Sequence, residues 1–223
     1  MRSFDYIESG KTLLTPHTTS LLAAIHEAKG RQSIQTTIRP DILGTLVAVA
    51  RIQSTDASNR IEGISTSDSR LNDLVSEKVT PRNRNEEEIA GYRDALSVIH
   101  ESHDYIPITP NVILQLHRDL FRHTPLTFAG HFKDSDNVII ERDAHGTSTV
   151  RFAPPSALVT PELIERACSA YTQAIRDRHT DPLLAIAMFI LDFTCIHPFN
   201  DGNGRMSRLL TLLMLCRNGY MVG

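Results

Sequence analysis

The stretch His197-Pro198-Phe199-Asn200-Asp201-Gly202-Asn203-Gly204-Arg205-Met206-Ser207-Arg208 separates the apolar run 182–196 from a second apolar run, Leu209–Leu215. Gly202, Asn203 and Gly204 can take backbone angles that turn successive N–H groups into one concavity, a nest for an anion. The nest opens directly into a predicted helix, whose N-terminal N–H groups and dipole add positive potential. Arg205 and Arg208 stand three residues apart, so they share a helical face and reach the same polyanion. Asp201 offers a hard oxygen beside the nest, suited to Mg2+ that also holds phosphate oxygens. An imidazole titrates at about 6.5, so His197 is fit to take a proton at neutral pH. Nest, metal ligand, paired arginines and base together describe transfer from a nucleoside polyphosphate to a nucleophile. Competing motifs are missing from the sequence. There is no GxxxxGK[ST] and no HExxH, and Leu212 stands where a calcium loop starting at Asp201 needs glutamate.

Outward from this stretch the signals are mostly helical. Thr109-Pro110, Thr160-Pro161 and Asp181-Pro182 each pair a capping residue with proline at the first helical position. Asn85 followed by Glu86-Glu87-Glu88 is a further helix start, because carboxylates favour the positive end. Leu21, Leu22 and Ile25 predict a short first helix ending at Gly30. Ile42, Leu43, Leu46, Val47, Ala50 and Ile61 predict a long helix that stops at Gly63, and Ser69 to Val79 a short one. The polar connector Pro81-Arg82-Asn83-Arg84-Asn85 suggests a division into an N-terminal helical region, 1–80, and a core, 81–223. Only Val138-Ile139-Ile140 and Val150-Arg151-Phe152, flanking a polar loop with Gly146, read as strands, a single hairpin. The expected fold is mainly α, a helical bundle with one β-hairpin.

Composition narrows the class further. The 223 residues are 41% hydrophobic and 22% charged, which excludes a disordered or low-complexity chain. A net charge of −3 argues against coating nucleic acid through bulk charge. Three cysteines are too few for a disulfide framework and suit a reducing cytosol. No signal peptide follows Met1-Arg2-Ser3, and the run from Pro182 to Phe193 is too short to span a bilayer, so the expected location is cytoplasmic. His117, His123 and His131 show no metal-ligand spacing and read as surface or core histidines. Cys195 is not taken as a nucleophile, and Glu86-Glu87-Glu88 reads simply as a helix start.

The segment 197–208 resembles the signature HPFx[D/E]GNGRxxR of the Fic (filamentation induced by cAMP) family, matched at every fixed position. The resemblance implies a helical fold with a β-hairpin flap and AMP transfer from ATP to a Tyr, Thr or Ser hydroxyl of a protein. It implies Mg2+ as cofactor and ATP as co-substrate. His197 resembles the family's base, Phe199 the core anchor of the loop and Asp201 the Mg2+ ligand. Gly202, Asn203, Gly204 and Arg205 resemble the phosphate cradle, and Arg208 the arginine on the γ-phosphate. Doc-type kinases carry lysine in place of the second motif glycine, so Gly204 favours AMP transfer over phosphorylation.

Ser58-Asn59-Arg60-Ile61-Glu62-Gly63 is similar to the family's inhibitory motif, [S/T]xxxE[G/N]. In that class the glutamate pairs with the second motif arginine, which implies a Glu62–Arg208 pair obstructing the γ-phosphate. The hairpin resembles the flap that pairs with a target's backbone, with Val138, Ile139 and Ile140 as the docking residues. Gly130-His131-Phe132-Lys133 resembles a family pattern that usually ends in Arg, and stays open as phosphate-proximal or structural. Fic chains of this layout continue past the active-site helix, so ending at Gly223 implies a C-terminal truncation and an incomplete adenine pocket. The implied partners are ATP, a target protein that includes the chain itself as a candidate, and a second copy in a homodimer. Neither membrane nor nucleic acid is expected. Three functions stay open: a self-inhibited AMP-transferase, a de-AMPylase in which Glu62 aligns water, and a non-catalytic ATP-sensing interaction module.

Overall fold

A computed structural model describes residues 4–38, 40–142, 146–176 and 179–220, with the side chains of 35–45 and 142 left aside. Among the described residues, helices α1 (Tyr6–Leu13), α2 (Pro16–Ile38), α3 (Pro40–Ile61) and α4 (Asp68–Val75) lead into α5 (Arg84–Ser102) and α6 (Pro110–Leu120). A hairpin of β1 (Ile139–Arg142) and β2 (Ser148–Phe152) follows, then α7 (Thr160–Arg176), α8 (Pro182–Ile196) and α9 (Asn203–Arg217). The fold is mainly α with one hairpin, as the sequence predicts.

The helix starts follow the capping chemistry. Thr109 Oγ1 accepts the Val112 N–H and Asp181 Oδ1 the Leu183 N–H, each beside a proline whose missing donor costs nothing there. For α5 the cap is Asn83 and not Asn85, because the Asn83 side chain accepts the Glu86 N–H. Two other boundaries differ from expectation. Helix α2 runs straight through Gly30, which keeps a helical backbone, while an Arg31–Glu27 pair at 2.9 Å straddles it. Helix α4 stops at Val75, where Ser76 ends it and Glu77 turns to a φ of 57°. The polar α1, which no periodicity marks, is started by Asp5 and tied to the body when Tyr6 donates to Asp192 at 2.9 Å.

Helix α8 is apolar on nearly every side and therefore sits in the middle, between α7 and α9. Phe189 and Phe193 of α8 are buried with Leu209 and Leu213 of α9, Leu96 of α5 and Ile113 of α6 in one continuous core. Truncating either phenylalanine to alanine would cost about 3–5 kcal/mol. Helix α3 packs on α5 and the first turns of α9, which brings its C-terminal end to the 197–208 segment.

Candidate active site

The segment begins where α8 ends. His197 takes a left-handed backbone (φ 51°, ψ 62°), which stops the helix and turns the chain across the end of the core. Phe199, fully buried, anchors the turn. Asn203 then clamps it from within: its Oδ1 accepts the Phe199 N–H at 3.0 Å and its Nδ2 donates to the Phe199 carbonyl at 2.8 Å. The Asn203 side chain thus faces the protein, and only its backbone N–H belongs to the nest. Gly202 starts α9 with φ 80°, and a Cβ there would meet the Phe121 ring at 2.9 Å. Both conditions require glycine.

Burial holds the pKa of His197 below its ordinary value, and the nearby Lys133 charge pushes the same way against a hydrogen bond to the Thr194 backbone. The ring is therefore neutral at pH 7. One nitrogen is engaged with the Thr194 carbonyl, which leaves the lone pair of the other able to accept a proton.

Asp201 keeps its side chain 47% exposed, and its Oδ1 accepts the Gly202 N–H at 2.6 Å. Arg205 is 1% exposed and lies behind the nest. Its Nη1 is 2.8 Å from Glu88 Oε2, its Nη2 is 4.0 Å from Asp201 Oδ1, and its guanidinium sits over the Phe121 ring. Glu88 Oε1 also accepts from Arg84 Nε at 2.8 Å, while Arg84 Nη2 is 3.9 Å from Asp201 Oδ2. Asp201, Arg205, Glu88 and Arg84 close a ring of alternating charge around the start of α9. Glu88, read from the sequence as part of a helix start, is the buried carboxylate of that ring. Glu86 of the same run is buried as well, held by Arg70, Thr66 and the Arg82 N–H.

Arg208 points to α3. Its Nε donates to Ser58 Oγ at 2.7 Å, and its Nη2 to the Ser58 carbonyl at 3.0 Å and to Glu62 Oε1 at 2.7 Å. The Glu62 carboxylate comes so close to the start of α9 that a Cβ at Gly204 would collide with its Oε1. Gly63 follows with φ 76°, the turn that releases the chain from α3. Ser58 and Glu62 of α3 thus lie against Gly204 and Arg208 at the start of α9.

The hairpin is rooted in the same turn. Lys133 Nζ donates to the Ile196 carbonyl at 3.2 Å and to Asn137 Oδ1 at 3.0 Å, and Asn137 Nδ2 donates to the Phe199 carbonyl at 3.3 Å. Burial pulls the Lys133 pKa down. Lys133 is thus a tether between the hairpin root and the motif. Ile140 pairs with Val150 and Ile139 with Phe152, with a bulge between them. Val138, expected as a strand residue, lies just outside β1, although it is exposed beside it.

The Fic/DOC family profile matches residues 107–215. Those residues form a Fic/DOC domain. A Fido domain-containing protein of Dictyostelium discoideum is 37% identical over 90 residues, 39% of this chain and 58% of that protein. Protein adenylyltransferase fic-1 of Caenorhabditis elegans is 28% identical over 145 residues, 61% of this chain and 25% of that one. The chain thus spans between a quarter and three-fifths of the length of these curated relatives. A Fic domain-containing signaling protein from Bacteroides thetaiotaomicron has the same fold, with a TM-score of 0.75 at 23% identity over 89% of this chain and 73% of that one. Helices α1–α5, with Glu88 and the Glu62 segment, precede the matched residues. Within the Fic domain, His117, read from the sequence as a surface or core histidine, is wholly buried and stacks on Phe199 at 3.7 Å, and its contact with the motif turn at Asp201 was not foreseen. Among the described residues no group of three or more His, Cys, Asp or Glu is arranged to hold a metal, and no helix is long and apolar enough to cross a membrane.

Proposed function

We propose that this Fic domain transfers AMP from ATP to a hydroxyl of a target protein and that Glu62 restrains the reaction. The supporting observation is the anion already there: a carboxylate of the protein rests against Gly204 at the start of α9, held by Arg208. Helix N-termini with an adjacent guanidinium take phosphate for the same electrostatic reason. A phosphate and Glu62 compete for this ground.

The target hydroxyl gives its proton to His197 as its oxygen bonds to the α-phosphorus. The bond from that phosphorus to the bridging oxygen breaks, and pyrophosphate leaves with the electron pair. Because burial lowers the His197 pKa, the base stays deprotonated below pH 6.5, and the acid limb of transfer falls under that value. The N–H groups of the nest face the developing charge, and the buried Arg205 adds positive potential from behind them. Asp201 fits Mg2+ as a half-exposed carboxylate at the mouth of the nest, since Mg2+ binds through one or two carboxylates plus substrate phosphates. Bound there, it would neutralise phosphate charge. The exposed Ile140 and the half-buried Ile139 offer the target an edge strand.

ATP labelled on the α-phosphate, incubated with Mg2+ and cell extract, tests this. Label should pass to protein and fall about 10²-fold or more in His197→Ala with ATP affinity kept. Ile139→Pro should lower target labelling alone. Undiminished transfer in His197→Ala would remove the base assignment.

A further inference from the structure

His117 of α6 is wholly buried, 84 residues before the turn it touches. Its Nε2 is 3.1 Å from the Asp201 carbonyl oxygen, and its Nδ1 is 2.9 Å from the Gly130 nitrogen. A carbonyl only accepts and a backbone N–H only donates, so the ring is the neutral tautomer with its proton on Nε2. It lies flat on Phe199, the planes 2° apart, with Phe121 set edge-on at 5.1 Å. Both hydrogen bonds and the stack fix the ring in one orientation.

The Asp201 carbonyl is therefore drawn into the core. In a planar trans peptide the carbonyl and the next N–H point in opposite directions. Pulling the Asp201 carbonyl inward turns the Gly202 N–H outward, where it donates to the half-exposed Asp201 carboxylate at 2.6 Å. That hydrogen bond in turn aims Asp201. We propose that His117 is a positioning residue of the anion-binding turn, setting the 201–202 peptide plane and through it the Gly202 N–H and the Asp201 carboxylate. The other ring nitrogen ties the same turn to Gly130, three residues before Lys133 at the hairpin root. Burial pushes the His117 pKa down to about 4, so the tautomer persists at neutral pH.

The consequence for turnover rests on the AMP-transfer reading, but the geometry does not. Two variants each keep one hydrogen bond. His117→Gln can place an amide N–H near Nε2 and hold Asp201; His117→Asn can place a carbonyl near Nδ1 and hold Gly130. A structural role alone makes the two alike. Positioning makes them differ: His117→Asn should speed hydrogen exchange at the Gly202 amide at least tenfold and lower kcat/KM for ATP by about 10–10²-fold, the scale of an ångström misplacement. His117→Gln should stay near wild type in both, at matched melting temperature. Equal change at Gly202 in the two variants would overturn the proposal. An altered Gly202 amide in a chain that transfers no AMP upholds the positioning and rejects only the proposed activity. Nitrogen NMR of His117 in the unaltered protein is independent of folding losses in the variants. The Nε2–H tautomer from pH 5 to 8 supports the inference, and the Nδ1–H tautomer ends it.

Discussion

Replacing Glu62 with glycine should raise AMP transfer, and the geometry sets the scale. The Arg208–Glu62 contact is 2.7 Å with both side chains about a third exposed, so solvent screening limits the pair to about 1 kcal/mol. The carboxylate also crowds Gly204, where it opposes any phosphate at the start of α9. Two unit charges 4 Å apart near a surface repel by about 4 kcal/mol before screening. Even a fraction of that, added to the pair, passes the ~1.4 kcal/mol that corresponds to tenfold. Label transfer from α-labelled ATP should therefore rise at least tenfold in Glu62→Gly. Glu62→Gln, which keeps the bulk and loses the charge, should lie between, and so should the shorter Glu62→Asp. The melting temperature should change little, because Ser58 still holds Arg208 through two hydrogen bonds. A flat rate in Glu62→Gly would reduce Glu62 to a helix-end residue. Loss of AMP removal from a modified target in the same variant would instead assign it to hydrolysis.

Two further outcomes concern the buried charges around the site. Glu88→Ala strands Arg205 in the interior and should cost about 3–5 kcal/mol, a fall in Tm on the order of 10 °C by calorimetry; an unchanged Tm would show that Arg205 finds another partner. Hydrogen bonding from Arg70 holds the Glu86 pKa down at about 2 against an ordinary 4.5, so the stability it contributes is full above 4.5 and is lost as pH falls through 2. Arg70→Gln should move acid unfolding, followed by circular dichroism, to higher pH, and coincident curves would dismiss the pair.

The parts legible in the sequence were those written locally. The clamp within the turn 199–204 is local, because Asn203 closes it onto Phe199 four residues earlier and Gly202 supplies the left-handed backbone. Thr109 and Asp181 announced their helices in the same way. The Arg208–Glu62 contact is long-range, yet it was visible because both ends sit in recognisable motifs. Glu88 and His117 were not visible. Each meets the site across more than eighty residues, and neither has a neighbour in sequence that hints at its partner. The continuity of α2 past Gly30 was hidden for a related reason. Glycine ends a helix only when its backbone turns left-handed, and here Gly30 stays helical.

Arg208 has one guanidinium, held by the C-terminal end of α3, and in the proposed reaction an incoming phosphate claims it too. Whatever free energy Glu62 and Ser58 withhold from a nucleotide, the nucleotide must in turn withhold from them, since linkage is reciprocal. The end of α3 is then a reporter as well as a restraint. Its amides should exchange faster as nucleotide concentration rises, by the same factor with which α3 weakens nucleotide binding.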